Sequence, residues 1–186
     1  MNERDFYLVS PSAFGSLSIV WRQKGNDPRL YRLFLSNERT SAEELAQAAF
    51  PGARYRSHPV VADLSRRIQG FLAGQAIRFE LDWTALEVCS EFQRRVLIAE
   101  YGIPRGWVST YGRIGAHLGV KRGARVVGGA LARNPFPILI PCHRAIRSNG
   151  ELGGYQGGLQ MKRALLQYEG LEVSERGRVL TPKVYY

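Results

Sequence analysis

The chain of 186 residues has only two cysteines, and it has no apolar run of the length that crosses a membrane. A membrane-spanning helix needs about 20 consecutive apolar residues, and small secreted domains are usually rich in cysteine. Because a signal-like leader is also missing, we expect a cytoplasmic protein with no membrane partner, whose thiols stay reduced. The absence of internal repeats and of low-complexity segments excludes repeat architectures.

Acidic residues are few compared with basic ones. The chain has 16 Asp and Glu against 26 Lys and Arg, which gives a formal net charge of +10 and a pI near 10.1. Many of the basic residues, Arg144 and Arg147 among them, lie in the C-terminal half. A polyanion such as nucleic acid is one partner that such a charge favours. A solvated basic surface would have the same composition, so charge alone leaves both interpretations open.

The N-terminal half predicts a small lobe of mixed strands and helices. β-forming residues alternate or cluster in several short segments, a turn is expected at 25–28, and apolar residues at helical spacing follow. The predicted elements are strands at 5–10, 16–23 and 30–36, helices at 41–49 and about 59–73, and a returning strand at 79–83. A mixed lobe followed by a largely helical one makes the chain an α+β protein, with domains predicted at 1–85 and 86–186.

The C-terminal half predicts helices interrupted by glycines. Ser90 is a plausible N-cap for a helix that stops near Gly102. Two short helices at 110–118 and 124–133, joined by a glycine-containing turn, form a helix-turn-helix candidate. Ordinary helix pairs are far more common than DNA-reading ones, so this signal is weak by itself. The second helix has little side-chain bulk on one face, which would let its backbone approach a large surface closely.

Cys142 and His143 follow an apolar segment, 138–140, that we expect to be a strand. A free cysteine has a pKa of about 8.5 and is a useful nucleophile only when a neighbouring base or cation raises its thiolate fraction. The dipeptide therefore predicts an activated thiolate with His143 as its base. From the residues alone, a small buried cysteine at the end of a strand, capped by the histidine, is the more common explanation of such a dipeptide.

Several separate motifs of the C-terminal half occur in the order and near the spacing of one family. They are FQRRVL at 92–97, IPRGWVSTYGRIGAHLG at 103–119, ARVVGGALARNPFPILIPCHR at 124–144, GGYQGGL at 153–159 and QYEG at 167–170. In these segments the chain resembles the O6-alkylguanine-DNA alkyltransferases. The N-terminal residues resemble the family only in length and in their strand-then-helix layout, and the resemblance implies an RNase H-like lobe there.

The resemblance implies a DNA repair protein that flips O6-alkylguanine out of double-stranded DNA and transfers the alkyl group irreversibly to its own cysteine. Each molecule would act once, as a methylated-DNA–protein-cysteine methyltransferase without a cofactor. The resemblance further implies a monomer in solution. It leaves open whether O4-alkylthymine is also repaired and whether binding along DNA is cooperative.

The resemblance also implies a role for each site residue. Cys142 would accept the alkyl group, His143 would act as its base, and Glu169 would orient the imidazole. Tyr111 would donate a proton to the leaving guanine, and Asn134 would supply a hinge amide. Arg125 would intercalate into the base stack. The remaining positions are Ala124, Thr110, Gly128 and Arg133 against DNA, and Tyr155, Val126 and Gly157 in the base pocket.

The chain departs from the family pattern at a few positions. Glu100 stands where we expect an apolar residue, and Gly123 replaces a common alanine. The zinc ligands of some members cannot be assembled, because Cys89 and His58 are the remaining soft ligands outside the motif region, so we predict no metal. The competing interpretations are a recognition protein that transfers nothing, a helix-turn-helix regulator and a cysteine hydrolase. A recognition protein of that kind has a different residue at the position of Cys142.

Overall fold

The computed structural model describes residues 4–25, 27–181 and 183–186, and their contacts divide the chain into two compact units. The first unit comprises the residues up to Val88 together with Pro135–Leu139, and the second comprises Cys89–Asn134 and Ile140–Tyr186. Nothing in the sequence indicated that a short internal segment would join the first unit. The division into independent domains at 1–85 and 86–186 stays a prediction.

The first unit contains a four-stranded sheet in the order β3-β2-β1-β4. Its core is an antiparallel meander, in which Leu17, Ile19 and Trp21 of β2 are fully buried. The elements are β1 (Asp5–Ser12), β2 (Gly15–Lys24), β3 (Asp27–Leu35), α1 (Ala42–Ala49), β4 (Arg54–Tyr55) and α2 (Pro59–Leu72). The three predicted strands and two predicted helices are thereby confirmed, whereas the predicted turn includes Asn26, which lies outside the described residues.

The returning strand predicted at 79–83 is wrong. Only an isolated bridge joins Leu30 to Thr84. The backbone N–H and the hydroxyl of Thr84 both donate to the Leu81 carbonyl, at 2.9 and 2.6 Å, and these bonds turn the chain where an extended strand was expected. Phe79 is buried. The apolar residues of this segment therefore indicate burial and not a strand paired by backbone hydrogen bonds.

The second unit is mainly helical. Its elements are α3 (Glu91–Tyr101), β5 (Ser109–Thr110), α4 (Tyr111–His117), α5 (Ala124–Ala132), β6 (Ala145–Ile146), α6 (Gly158–Tyr168), β7 (Glu172–Val173) and β8 (Val179–Leu180). Ser90 caps α3 by accepting from the Gln93 N–H, and Thr110 caps α4 by accepting from the Arg113 N–H. Both helices therefore begin within a residue of where the sequence predicts.

The helix-turn-helix is formed by α4 and α5, which approach each other closely at two glycines. A Cβ atom added to Gly115 would lie 2.9 Å from the Cα of Gly123, and the reverse substitution meets the same contact. Real Cβ contacts are essentially never that short, so an alanine at Gly123 would require the helices to move apart. The departure from the family pattern at Gly123 is thus matched by a second glycine on the facing helix.

The segment predicted as a strand at 138–140 is also different in the structure. Its residues are buried, but Ile138 has a φ of +73° and lies in a turn. A β-branched residue rarely adopts this left-handed conformation, which costs energy and persists only where the surroundings enforce it. An apolar run indicates burial, but it does not by itself distinguish a strand from a buried turn.

No helix in the described part of the chain is long and apolar enough to cross a membrane.

Candidate active site

A short parallel pairing in the second unit brings two of the predicted site residues to one cavity. Ser109 of β5 pairs with Ala145 of β6, and Thr110 pairs with Ile146. Tyr111 directly follows β5, and Cys142 lies three residues before β6 begins. Both line a cavity of about 490 Å³. The other lining residues are Ala124, Arg125, Gly128, Leu131, Ala132, Arg147, Gly153, Gly154, Tyr155 and Gln156.

Cys142 begins a single 3₁₀ turn, Cys142–Arg144, and its free thiol is buried. Burial raises the pKa of this thiol to about 12, because a thiolate loses solvation there, while a hydrogen bond from the Asn134 side chain opposes the rise. The Asn134 amide also donates to the Ile140 carbonyl at 3.2 Å. The thiol is therefore protonated at neutral pH, and its activation requires a base.

His143, the predicted base, is fully buried and bonded to the predicted carboxylate. Its Nε2 lies 2.9 Å from Oε1 of Glu169 at the C-terminal end of α6. Burial lowers the pKa of His143, and the Glu169 charge only partly opposes this shift. The imidazole is consequently neutral near pH 7, which is the form that accepts a proton.

Arg144 completes this cluster, although sequence analysis placed it only among the basic residues. Its guanidinium bonds both Glu169 oxygens, at 2.7 and 2.9 Å, and its Nη1 donates to the Ile103 carbonyl at 2.6 Å. Burial would raise the pKa of Glu169, but His143 and Arg144 outweigh it and lower the pKa to about 2. Arg144 is buried and bonded within the protein, so it is not part of a basic surface.

The glycine-rich loop after β6 forms one wall of the cavity. Gly153 has a φ of +70°, and a Cβ at this position would lie 2.7 Å from the Tyr111 hydroxyl. Gln156 donates to the Asn134 carbonyl at 2.7 Å and so fixes the loop to the predicted hinge. The Tyr155 hydroxyl is buried and has no hydrogen-bond partner among the residues that the structure describes. Gly153 and Gln156 were not predicted as site residues, although both lie in the GGYQGGL segment that contributes to the family resemblance.

The Tyr111 phenol keeps its proton in this environment. Burial raises its pKa to about 12, with smaller contributions from the charges of Glu100 and Cys142. A phenol with such a pKa stays protonated over the physiological range, so it can donate a hydrogen bond or a proton into the cavity.

The remaining predicted positions are distributed around this cavity. Ala124, Arg125 and Gly128 of α5 line it. Thr110 caps α4, and Arg133 is exposed directly after α5. The roles of Val126 and Gly157 in the base pocket stay predictions, since neither residue is part of the lining: Val126 is half exposed, and Gly157 lies at the start of α6 against Met161.

The fold and the cavity define a protein with a buried Cys-His-Glu cluster beside a helix-turn-helix, and comparison with known proteins agrees. The profile of the 6-O-methylguanine DNA methyltransferase DNA-binding domain matches residues 91–171. A methylated-DNA–protein-cysteine methyltransferase of Methanothermobacter thermautotrophicus is 47% identical over 57% of this chain and 59% of its own length. One from Salmonella typhimurium is 35% identical over 88% of each chain. The chain belongs to the methylated-DNA–protein-cysteine methyltransferase family.

A solved structure supports the same assignment. The OGT of Mycobacterium tuberculosis in complex with DNA is 29% identical, with a TM-score of 0.69 over 89% of this chain and 93% of that one. The predicted α+β fold class is thereby confirmed, and the alkyltransferase family inferred from the C-terminal motifs is confirmed as well.

Proposed function

We propose that the protein repairs O6-alkylguanine in duplex DNA by transferring the alkyl group to Cys142, once per molecule. The observation that carries this proposal is the cavity that Cys142, Tyr111 and Arg125 all line. The buried His143–Glu169 pair behind the thiol supports it, and so does membership of a family whose relatives are named for this transfer.

The reaction needs only groups that the chain supplies. His143 takes the proton of the Cys142 thiol, and the resulting thiolate attacks the alkyl carbon in line with the carbon–oxygen bond. The carbon–sulfur bond forms as the bond to O6 breaks, and the electron pair of the broken bond moves onto the guanine. Tyr111 donates a hydrogen bond or a proton to the leaving base. The thioether product is stable, which explains why one molecule would act once.

The base has to leave the duplex before the sulfur can reach it. Extrusion costs a few kcal/mol and less for a mispaired lesion. Arg125 is an exposed residue near the start of α5 that lines the cavity, and from there it would occupy the space of the extruded base. The small residues of α5 would then lie against the minor groove, whose base pattern is degenerate. The Tyr155 hydroxyl would gain a hydrogen-bond partner from the bound guanine.

We further propose that the partner is double-stranded DNA, that the protein acts as a monomer and that it works in the cytoplasm. The excess of positive charge supports the first of these. Whether O4-alkylthymine is also a substrate would be tested by repeating the experiment below with that lesion.

The test is mass spectrometry of the protein after mixing with an equimolar duplex that carries one O6-methylguanine. We expect one added methyl group on the peptide that contains Cys142, none on the peptide that contains Cys89, and loss of one lesion per protein molecule. A Cys142→Ser variant and an unmodified duplex serve as controls. Tight lesion binding without a change in mass would overturn the proposal and make this a recognition protein.

A further inference from the structure

The carboxyl group of Glu100 lies in the protein interior, and its hydrogen bonds do not explain this position. It lies on the inner side of α3 and is fully buried. The backbone N–H of Ala145 is close enough to stabilise the charge of Glu100. Neither carboxyl oxygen, however, accepts a hydrogen bond of ordinary geometry from any residue in the described ranges. A buried acid of this kind costs stability unless something compensates for it. The presence of a buried acid at this position therefore points to a role.

Lys162 of α6 is the complementary group, and it is fully buried as well. Its ammonium donates to the Ala145 carbonyl at 2.6 Å and reaches the Gly154 carbonyl at 3.4 Å. Ala145 follows the Cys142–Arg144 turn directly, so both charged groups act on the residue that carries this turn into β6. Lys162 also joins this residue to the glycine-rich wall of the cavity.

The two groups have opposite effects on the Cys142 sulfur. Burial is the largest cause of the raised pKa of the thiol. The Glu100 charge raises this pKa further, whereas the Lys162 charge lowers it. Burial raises the pKa of Glu100 to about 8 and lowers that of Lys162 to about 8, so the charges of the pair change near neutral pH. The other titratable groups that act on or feel Glu100 are Arg144, Tyr111 and Tyr186.

We propose that Glu100 is a positioning residue of the alkyl-transfer site, which forms with Lys162 a buried pair of titratable groups at Ala145, next to the Cys142–Arg144 turn, and sets the charge around the Cys142 sulfur. This assignment rests on the function proposed above. When Glu100 is neutral, the Lys162 ammonium favours the thiolate without opposition. As the pH rises through about 8, Glu100 gains its negative charge and Lys162 loses its positive one, and both changes keep the proton on the sulfur.

The test measures alkylation of Cys142 by iodoacetamide, in which the thiolate displaces iodide, at about pH 6 and about pH 9. Peptide mass spectrometry separates Cys142 from Cys89. We expect the rate ratio of Glu100→Gln to the parent to rise from near one at about pH 6 to about tenfold at about pH 9, where the parent carries the ionised acid. Glu91→Gln removes an exposed charge from the same helix and should leave the ratio near one at both pH values.

A second variant tests the other partner. Lys162→Met should slow the reaction at about pH 6, where the parent carries the ammonium, and should approach the parent rate at about pH 9. A ratio for Glu100→Gln that does not change with pH would overturn the proposal, because a purely structural effect acts equally at both. If Glu100→Gln fails to fold, Glu100→Leu provides the same comparison.

The same preparations also separate this inference from the proposed function. Iodoacetamide reacts without DNA, so the pH dependence tests the charge pair even if the parent fails to accept a methyl group from the duplex. Failure of the parent to accept that methyl group would count against the alkyl-transfer function alone. Failure of the pH dependence in a parent that does transfer would count against the role of Glu100 alone.

Discussion

Glu169 connects His143, the predicted catalytic base, to the guanidinium of Arg144, which is also buried. It accepts from His143 and Arg144 and, through Oε2, from the Gly106 N–H at 3.2 Å. A single carboxylate thus orients the imidazole and neutralises the guanidinium beside it. Burying charged groups costs stability unless opposite charges and hydrogen bonds compensate for the lost solvation, so this carboxylate is important for stability as well as for the proposed reaction.

Glu169→Gln should therefore unfold more easily than the parent. The glutamine side chain is neutral, so the Arg144 charge stays buried without a counter-ion. Breaking a buried ion pair in this way costs about 3–5 kcal/mol. Urea denaturation measures the loss. Glu172→Gln changes a nearby exposed acid and should have little effect, and equal midpoints for the two variants would contradict the interpretation.

The pH dependence of stability has the same origin. Because the folded-state pKa of Glu169 is about 2, below the ordinary value of 4.5, its contribution is complete above about pH 4.5 and is lost as the pH falls toward 2. The slope reaches about 1.4 kcal/mol per pH unit for one proton. Acid unfolding of the parent and of Glu169→Gln should converge across this window.

Site residues that belong to a local motif could be predicted from the sequence. Site residues whose hydrogen-bond or charge partners lie in distant segments of the chain could not. The local motifs predicted Cys142, His143 and Tyr111, and the structure places two of these in one cavity. Arg144 could not be assigned from the sequence, because its acceptors belong to two other segments of the chain. Glu100 was identified only as an irregularity, since the identity of an acid does not reveal the cation that it faces.

The glycine-rich loop is an element whose backbone, not its side chains, makes room for Tyr111. Gly153→Ala should displace the phenol, because its Cβ would lie 2.7 Å from the hydroxyl in a backbone conformation that already disfavours alanine. We expect methyl transfer to slow by about tenfold or more, because displacing the phenol removes part of the roughly 10²–10⁴-fold that general acid catalysis contributes. The rate is measured by single-turnover transfer from a methylated duplex.

Gly154→Ala is the matched control for this change. A Cβ at Gly154 meets no protein atom within 4 Å, so this variant should leave Tyr111 in place and slow transfer less than Gly153→Ala does. Equal slowing of the two variants would show that flexibility of the loop, rather than the space it leaves for Tyr111, is the property that matters.

Elements with clear start signals were predictable, whereas elements defined by distant contacts were not. The capping serine and threonine of α3 and α4 marked both helix starts. The segments at 79–83 and 138–140 are apolar in sequence but turn in the structure, because local hydrogen bonds at Thr84 and a left-handed Ile138 override the extended conformation. The pairing of β5 with β6 involves only two residues on each strand, too few to leave a pattern in the sequence.

At the scale of the whole molecule, the excess of positive charge predicts that binding to DNA depends strongly on salt. Each phosphate contact releases counter-ions and contributes about −0.9 to the slope of log affinity against log salt. Arg133→Ala removes an exposed cation directly after α5 and should make the slope less steep by about 1. Fluorescence anisotropy with a labelled duplex measures it.

Arg66 in the first unit provides the comparison. It is exposed and pairs with Asp63 at 3.0 Å on α2, away from the proposed DNA-binding helix in the chain. Arg66→Ala should keep the slope of the parent. If both variants changed the slope equally, binding would depend on overall charge rather than on the helix-turn-helix.

Alkylation should also lower the thermal stability of the whole protein. Cys142 is only 6% exposed, and an additional methyl group in a packed site costs about 1–3 kcal/mol. For a chain of this size each kcal/mol corresponds to about 2–4 °C in melting temperature. Calorimetry of the methylated and unmethylated protein checks the expectation, and identical melting curves would contradict it.

The short segment Pro135–Leu139 has a practical consequence for cutting the chain in two. It belongs to the first unit, where the Pro135 carbonyl accepts from the Leu33 N–H at 2.8 Å and Phe136 is fully buried, yet it is joined by Asn134 and Ile140 to the unit that holds Cys142. A break after Val88 would therefore leave one fragment carrying a piece of the other's interior. The 1–88 fragment would lack this segment of its own unit, and the 89–186 fragment would carry it, with Phe136, outside the unit to which the segment belongs.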